Sequence, residues 1–250
     1  MKECYLVSAE RFCKVPGKPI AYWVSDKMIE AFDGSVLYDV ARPRQGMATT
    51  NNDLFLRYWY EVALNKTGFN MSDSVAAVKS RMKWFPITKG GTFRRWYGNF
   101  EYVVNYENDG RTICDYIDNT PGVKVKSNGR VINRELYFHK GMTWSTIASG
   151  LLGMRFVPNG FIFETKGSMC FTSDDLLYYL LGLYNSPVIQ AFLAMVSPTL
   201  DYHEGPLGKT PVVVRESEKI DNVVKDCIEQ SKRDWDSFET SWDFKKHPLI

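Results

Sequence analysis

Three features of this 250-residue chain, 44% hydrophobic, predict an α+β fold. Short β-prone runs separated by turn formers fill residues 135–171 and predict a sheet of hairpins. Two apolar helical patterns, 174–184 and 187–196, break at Asn185-Ser186, with Pro187 suited to a first helical position. An amphipathic terminal helix is predicted over residues 216–238. The expected architecture is a mixed sheet with hairpins, a packed helical pair and a C-terminal helix. It divides into a connector (1–40), an α+β domain (41–214) and a helical segment (215–250).

The elements follow in order. Ser25 is placed to cap a short helix over residues 25–32, which Asp33-Gly34 ends. Residues 39–53 are polar and punctuated by Pro and Gly, predicting a loop, and residues 54–62 predict a strand. A capped helix is expected over 72–80 and an alternating strand over 100–106. Asn108-Asp109-Gly110 opens a helix ending near Ile117. Residues 118–134 are rich in turn formers and cations and predict a long, mobile loop. Within the hairpin region the expected strands are 136–138, 143–147, 154–157 and 161–163, and Val212-Val213-Val214 is expected to be the last strand.

Formal net charge is only +2, so no global attraction to polyanions follows. The distribution matters more: residues 79–166 hold fourteen Lys and Arg against seven Asp and Glu, whereas in 215–250 acids lead nine to seven. The five cysteines are scattered without a CxxC pair, which suggests neither a disulfide framework nor a zinc site and fits a reducing cytoplasm. The N-terminus lacks the apolar run of a signal peptide, and the apolar region 176–196 is interrupted, so no membrane partner is expected.

Residues 83–98 pack four cations, five aromatics and three glycines into sixteen positions without a carboxylate. Aromatic faces, forked guanidinium donors and a Gly-Gly backbone that approaches closely all suit a nucleic acid. The alternative is that Trp84, Phe85, Trp96 and Tyr97 are core or turn residues beside a solvated cationic face. No GxxxxGK[ST], GxGxxG or GxSxG occurs. Asp201, His203 and Glu204 form a polar cluster better suited to a turn than to catalysis. Glu101, Glu107, or Glu164 with Lys166, could imitate a metal-dependent nuclease, in which an acid holds Mg²⁺ and a Lys stabilises developing charge.

The order of longer motifs is more specific. Ile20-Ala21-Tyr22-Trp23-Val24-Ser25, Arg44-Gln45-Gly46, Thr49-Thr50-Asn51-Asn52-Asp53, Arg57-Tyr58-Trp59, Lys83-Trp84-Phe85-Pro86, Lys89-Gly90-Gly91, Arg94-Arg95-Trp96-Tyr97-Gly98 and residues 103–110 come in sequence. Gly141-Met142-Thr143-Trp144-Ser145, Gly182-Leu183-Tyr184-Asn185-Ser186, Ser197-Pro198-Thr199-Leu200 and Ser241-Trp242-Asp243-Phe244 follow. This series resembles the region beyond the catalytic domain in PglX-type adenine-specific DNA methyltransferases of BREX phage defence, and related type II restriction-modification enzymes are similar here. The resemblance implies a C-terminal target-recognition domain that positions double-stranded DNA while the catalytic domain flips an adenine and methylates it with S-adenosylmethionine. The glycine-rich cofactor motif and the Asn-Pro-Pro-Tyr motif of that catalytic half are absent, so no catalytic residue, metal or cofactor is expected in this chain. S-adenosylmethionine belongs to the full-length enzyme.

The candidate DNA-binding set follows. Lys89, Arg94 and Arg95 are expected to neutralise phosphates, while Arg44, Gln45, Asn51, Asn52 and the 118–134 loop, with Lys124, Lys126 and Arg130, reach base edges. Lys83, Gly90, Gly91, Trp96, Thr143 and Ser145 complete it. The expected partners are DNA, the methyltransferase catalytic domain and other defence-system subunits. The connector, with Tyr5-Leu6-Val7 and Tyr22-Trp23-Val24, is expected to pack against the catalytic domain or to dimerise. A metal-dependent nuclease and a protein-interaction domain are the alternative functions.

Overall fold

A computed structural model describes residues 8–148, 150–197, 201–214 and 218–250. The Tyr5-Leu6-Val7 run, Pro198-Thr199-Leu200 and the expected start of the terminal helix at residues 216–217 lie outside them. In chain order the elements are α1 (Asp26–Glu30), α2 (Leu37–Val40), β1 (Arg42–Arg44), α3 (Asn52–Phe55), β2 (Leu56–Tyr58), α4 (Ser74–Ser80), β3 (Trp84–Thr88), β4 (Tyr102–Asn105) and α5 (Glu107–Asn119). Then come β5 (Gly141–Thr143), β6 (Arg155–Val157), β7 (Ile162–Phe163), β8 (Met169–Phe171), α6 (Asp174–Tyr184), α7 (Pro187–Val196), α8 (Glu204–Gly208) and α9 (Glu218–Trp235). The fold is α+β.

Among the described residues the strands form two four-stranded sheets. One, in the order β1-β8-β5-β6, is antiparallel throughout. The other, β2-β4-β3-β7, is mixed because β7 joins β3 in parallel, Ile87 facing Ile162 and Thr88 facing Phe163. The expected single sheet of hairpins is therefore two sheets, and the reason lies in Phe161-Ile162-Phe163. All three side chains are buried, so this run has no face to give to water and is placed where both faces are covered. The chain at Met47 closes its free edge, the Met47 amide donating to the Phe163 carbonyl at 2.9 Å. Gly46 makes that approach feasible, since a Cβ there would lie 1.9 Å from the Phe163 carbonyl oxygen.

The helical pair appears at the predicted boundaries, with Pro187 in the first turn of α7 and a 76° bend between the two axes. Leu177, Leu180, Leu181 and Tyr184 from α6, and Ile189, Phe192, Leu193 and Met195 from α7, are buried. Among the described residues no single helix is long and apolar enough to cross a membrane. Helix α9 lies on α6 through Val224 and Ile228, where Gly182 leaves room for the Val224 side chain.

Several local expectations are corrected. Residues 54–62 are not one strand: the Asn51 side chain accepts from the Leu54 amide at 3.1 Å and caps α3, and only Leu56–Tyr58 pairs in a sheet before a 3₁₀ turn at Trp59–Glu61. The cap outcompetes strand propensity. Residues 39–53 contain the end of α2, β1 and the start of α3 as well as loop. The capped helix expected over 72–80 is α4, with Asp73 as its cap. Residues 108–110 are left-handed rather than the first turn of a helix, with φ of 50°, 61° and 74°. Arg134–Leu136 is a 3₁₀ turn, and Val212-Val213-Val214 is no strand, Val213 and Val214 being exposed. In the segment expected as a loop over 118–134, residues 118–119 close α5 and Ser127–Gly129 is a 3₁₀ turn, Asp118 accepting from the Ser127 amide and hydroxyl at 2.8 and 2.7 Å and the Arg130 carbonyl from the Ala48 amide.

Candidate nucleic-acid interface

The basic aromatic segment splits into a buried strand and an exposed turn. In β3, Phe85, Ile87 and Thr88 are buried, and Tyr97 is buried further on, so these belong to the core. Trp84 and Trp96 are half-buried, and Phe93 is 57% exposed. Between strand and arginines, Lys89-Gly90-Gly91 turns sharply, with φ of 89° and 119° at the glycines. Gly90 is needed for space as well: a Cβ would sit 2.6 Å from the Lys166 carbonyl oxygen. The Ser145 hydroxyl donates to the Gly91 carbonyl at 3.0 Å and fixes the turn from the other side.

Lys89 projects over the Tyr102 ring, 4.4 Å from its centroid, and Tyr102 stacks on Tyr58, which stacks on Tyr60. This ladder comes from Tyr58↔Tyr102 pairing between β2 and β4. Two grooves meet at Lys89. One, about 360 Å³, is lined by Asn52, Asp53, Arg57, Tyr58, Glu61, Lys89 and Tyr102. The other, about 370 Å³, is lined by Lys89 to Thr92, Arg94, Asn99, Glu101, Tyr102 and Trp235. A third, also about 370 Å³, carries Gln45, Arg130, Thr165 and Lys166, and the Lys166 backbone abuts Gly90. Asn52 thus shares a groove with Lys89, Gly90 and Gly91 share another with Lys89, Ser145 holds the turn, and Gln45 and Arg130 line a separate groove with Lys166. Lys166 was weighed from sequence only as a nuclease residue.

Other expected residues are engaged elsewhere. Arg94 is ion-paired to Asp234 at 2.8 Å and lies over the buried Trp235 indole, so it clasps α9. Arg95 lies over the Phe93 ring, with its Nε buried and without an acceptor. Asn51 spends its oxygen on the α3 cap and its amide on the Tyr116 hydroxyl at 3.1 Å. Thr143 is fully buried and donates to the Gly167 and Ser168 carbonyls. Arg44 sits in the other sheet and donates to its neighbour's carbonyl, that of Pro43. Trp96 pairs through its backbone with Met154 and Phe156, and Lys83 covers the Trp84 ring. Lys124 is exposed, and Lys126 reaches the Asp118 carbonyl at 2.8 Å. Asn52 accepts from Thr49 at 2.5 Å.

The carboxylates weighed for a nuclease form no metal-binding group among the described residues. Glu164 is buried, and desolvation raises its carboxyl above the ordinary value although the Lys166 amide donates to it at 3.0 Å. Burial also raises Glu101, which lines a groove with Lys89. Among the described residues no group of three His, Cys, Asp or Glu could hold a metal ion. Asp201 and His203 approach at 3.8 Å, both well exposed, and Glu204 accepts from the Ser168 hydroxyl.

No family model matches the chain. It is 37% identical over 249 residues to "Adenine-specific methyltransferase PglX" of Lacticaseibacillus casei (strain Zhang), covering 98% of this chain and 20% of that protein. It is 38% identical over 243 residues to "Adenine-specific methyltransferase BrxX" of Escherichia coli O9:H4 (strain HS), covering 96% of this chain and 18% of that one. The chain spans about a fifth of the length of these curated relatives.

Proposed function

We propose, on the premise that this chain is similar over nearly its whole length to one part of PglX-type proteins, that it recognises duplex DNA for an adenine-specific methyltransferase of a BREX phage-defence system. Methyl transfer, with S-adenosylmethionine, is the work of the catalytic part of such an enzyme. The observation that supports the recognition reading is the meeting of grooves at the Lys89-Gly90-Gly91 turn, where Lys89 stands beside a tyrosine ladder, the Lys166 backbone abuts the buried Gly90, and Gly91 is exposed. Cations there fit phosphates, and Asn52 and Gln45 are of the residue types that pair with adenine edges.

The test is fluorescence anisotropy with labelled duplex across a salt series. Lys89→Ala and Lys166→Ala should each weaken binding to all sequences and reduce the slope of log K against log salt by about 0.9 per lost phosphate contact. Changes at Asn52 or Gln45 should alter sequence preference. Wild-type affinity that ignores salt would sink the reading.

A protein-contact role for the connector is favoured by a separate observation. Ile20, Tyr22 and Trp23 are 75%, 55% and 62% exposed, side by side in sequence. They form the surface proposed to dock the catalytic domain. Trp23→Asp should lower capture of a separately produced catalytic domain while leaving DNA affinity unchanged.

A further inference from the structure

Arg155, the first residue of β6, is 1% exposed and lines a cavity of about 420 Å³ whose wall also carries Gly91, Thr92, Phe93, Ser145 and Leu151. Among the described residues no carboxylate pairs with its guanidinium, and its buried Nε has no acceptor. The neighbouring charge that acts on it is another cation, Arg94, whose own partner is Asp234. Burial first, and Arg94 second, pull the Arg155 group down to about 10, which still leaves it protonated at neutral pH. A buried guanidinium without a counter-charge is unfavourable, and an anion entering the cavity that it lines would complete it.

The rest of the wall indicates what carries the anion. Thr92 brings a hydroxyl group, the Ser145 hydroxyl holds the Gly91 carbonyl in place, and Gly91, at φ +119°, is exposed. The mouth is apolar: Phe93, Ile147 and Leu151 are 57%, 55% and 52% exposed. We propose that this cavity binds a phosphoryl group joined to a flat apolar body, a nucleotide unit, with Arg155 as the anion's partner and Phe93 as the stacking face. The site goes beyond the duplex reading and stands on the cavity alone. The same chemistry is offered by a free mononucleotide and by an unstacked nucleotide of a DNA strand.

Thermal melts and calorimetry with dAMP, deoxyadenosine, inorganic phosphate and a short single-stranded oligonucleotide test it. dAMP should raise the wild-type Tm, by roughly 5 °C at about a hundredfold excess over Kd, and deoxyadenosine should not. Arg155→Met should lose roughly tenfold or more in dAMP affinity, a loss expected of a charged hydrogen bond. Phe93→Ala should weaken dAMP but not inorganic phosphate. A response to the oligonucleotide alone, lost in Arg155→Met, supports the site and assigns its source to a strand; a response to dAMP as well assigns it to free nucleotide. No wild-type response to any phosphoryl compound, or equal responses to dAMP and deoxyadenosine, overturns the proposal, and that contrast decides even if Arg155→Met does not fold. Salt-dependent duplex binding is measured separately, so either reading can fail alone.

Discussion

Lys89 and Arg94 carry the same charge within one short segment, yet their surroundings give them different work. Lys89 stands over a tyrosine face at the junction of two grooves, whereas Arg94 is held by Asp234 and an indole. Arg94→Ala should therefore lower stability by about 1–2 kcal/mol, from one partly exposed ion pair and one cation–π contact, read as a fall in denaturant midpoint. Its salt slope with DNA should stay that of wild type. Glu164 gives a pH prediction. Its folded pKa is raised above the unfolded value of 4.5, so the folded state holds the proton more tightly, and stability declines as pH rises from about the unfolded value to the folded one. Glu164→Gln should flatten that decline and leave the Tm at pH 7 equal or higher. The sequence signalled the cations and glycines of the turn because composition alone marks them. It could not assign Arg94 or Asn51 to structural duty, since Asp234 and Tyr116 are distant in the chain. Arg155 was missed because one cation in a β-prone run carries no local sign of burial.

At the level of elements, legibility followed locality. The pair α6 and α7 was readable to its ends because apolar spacing, Asn185-Ser186 and Pro187 agree. The strand expected over 54–62 was not, because a short apolar run suits either state and the deciding cap is a single side chain. The left turn at 108–110 is the sharpest local constraint. Asp109 is clamped by Arg134, and a Cβ on Gly110 would come within 2.4 Å of the Tyr106 ring. Gly110→Ala should cost about 2 kcal/mol or more, from left-handed backbone and a blocked aromatic, measured by urea unfolding. Gly122 also has positive φ but has open space around its missing Cβ, and the same change there should cost less.

For the molecule as a whole, α9 ties the C-terminal segment to the centre. Trp235 is buried beneath Arg94, and Lys232 spans Asp236, Asp243 and the Tyr97 ring. Burial opposes the charge on Lys232, but Asp236 leads the contacts that hold its ammonium above the ordinary value. Trp235→Ala should cost about 3–5 kcal/mol and expose both the terminal helix and the basic turn to protease in parallel. Cleavage confined to the terminal helix would instead mean that the segments melt separately.

The parallel seam between β3 and β7 also sets a schedule for biosynthesis. Trp84–Thr88 leaves the ribosome long before Ile162-Phe163, so a nascent chain carries this strand with one hydrogen-bonding side open while the intervening residues are still being made. Truncated chains ending short of β7 should accumulate as chaperone-bound or aggregated species, and release should coincide with emergence of Phe163.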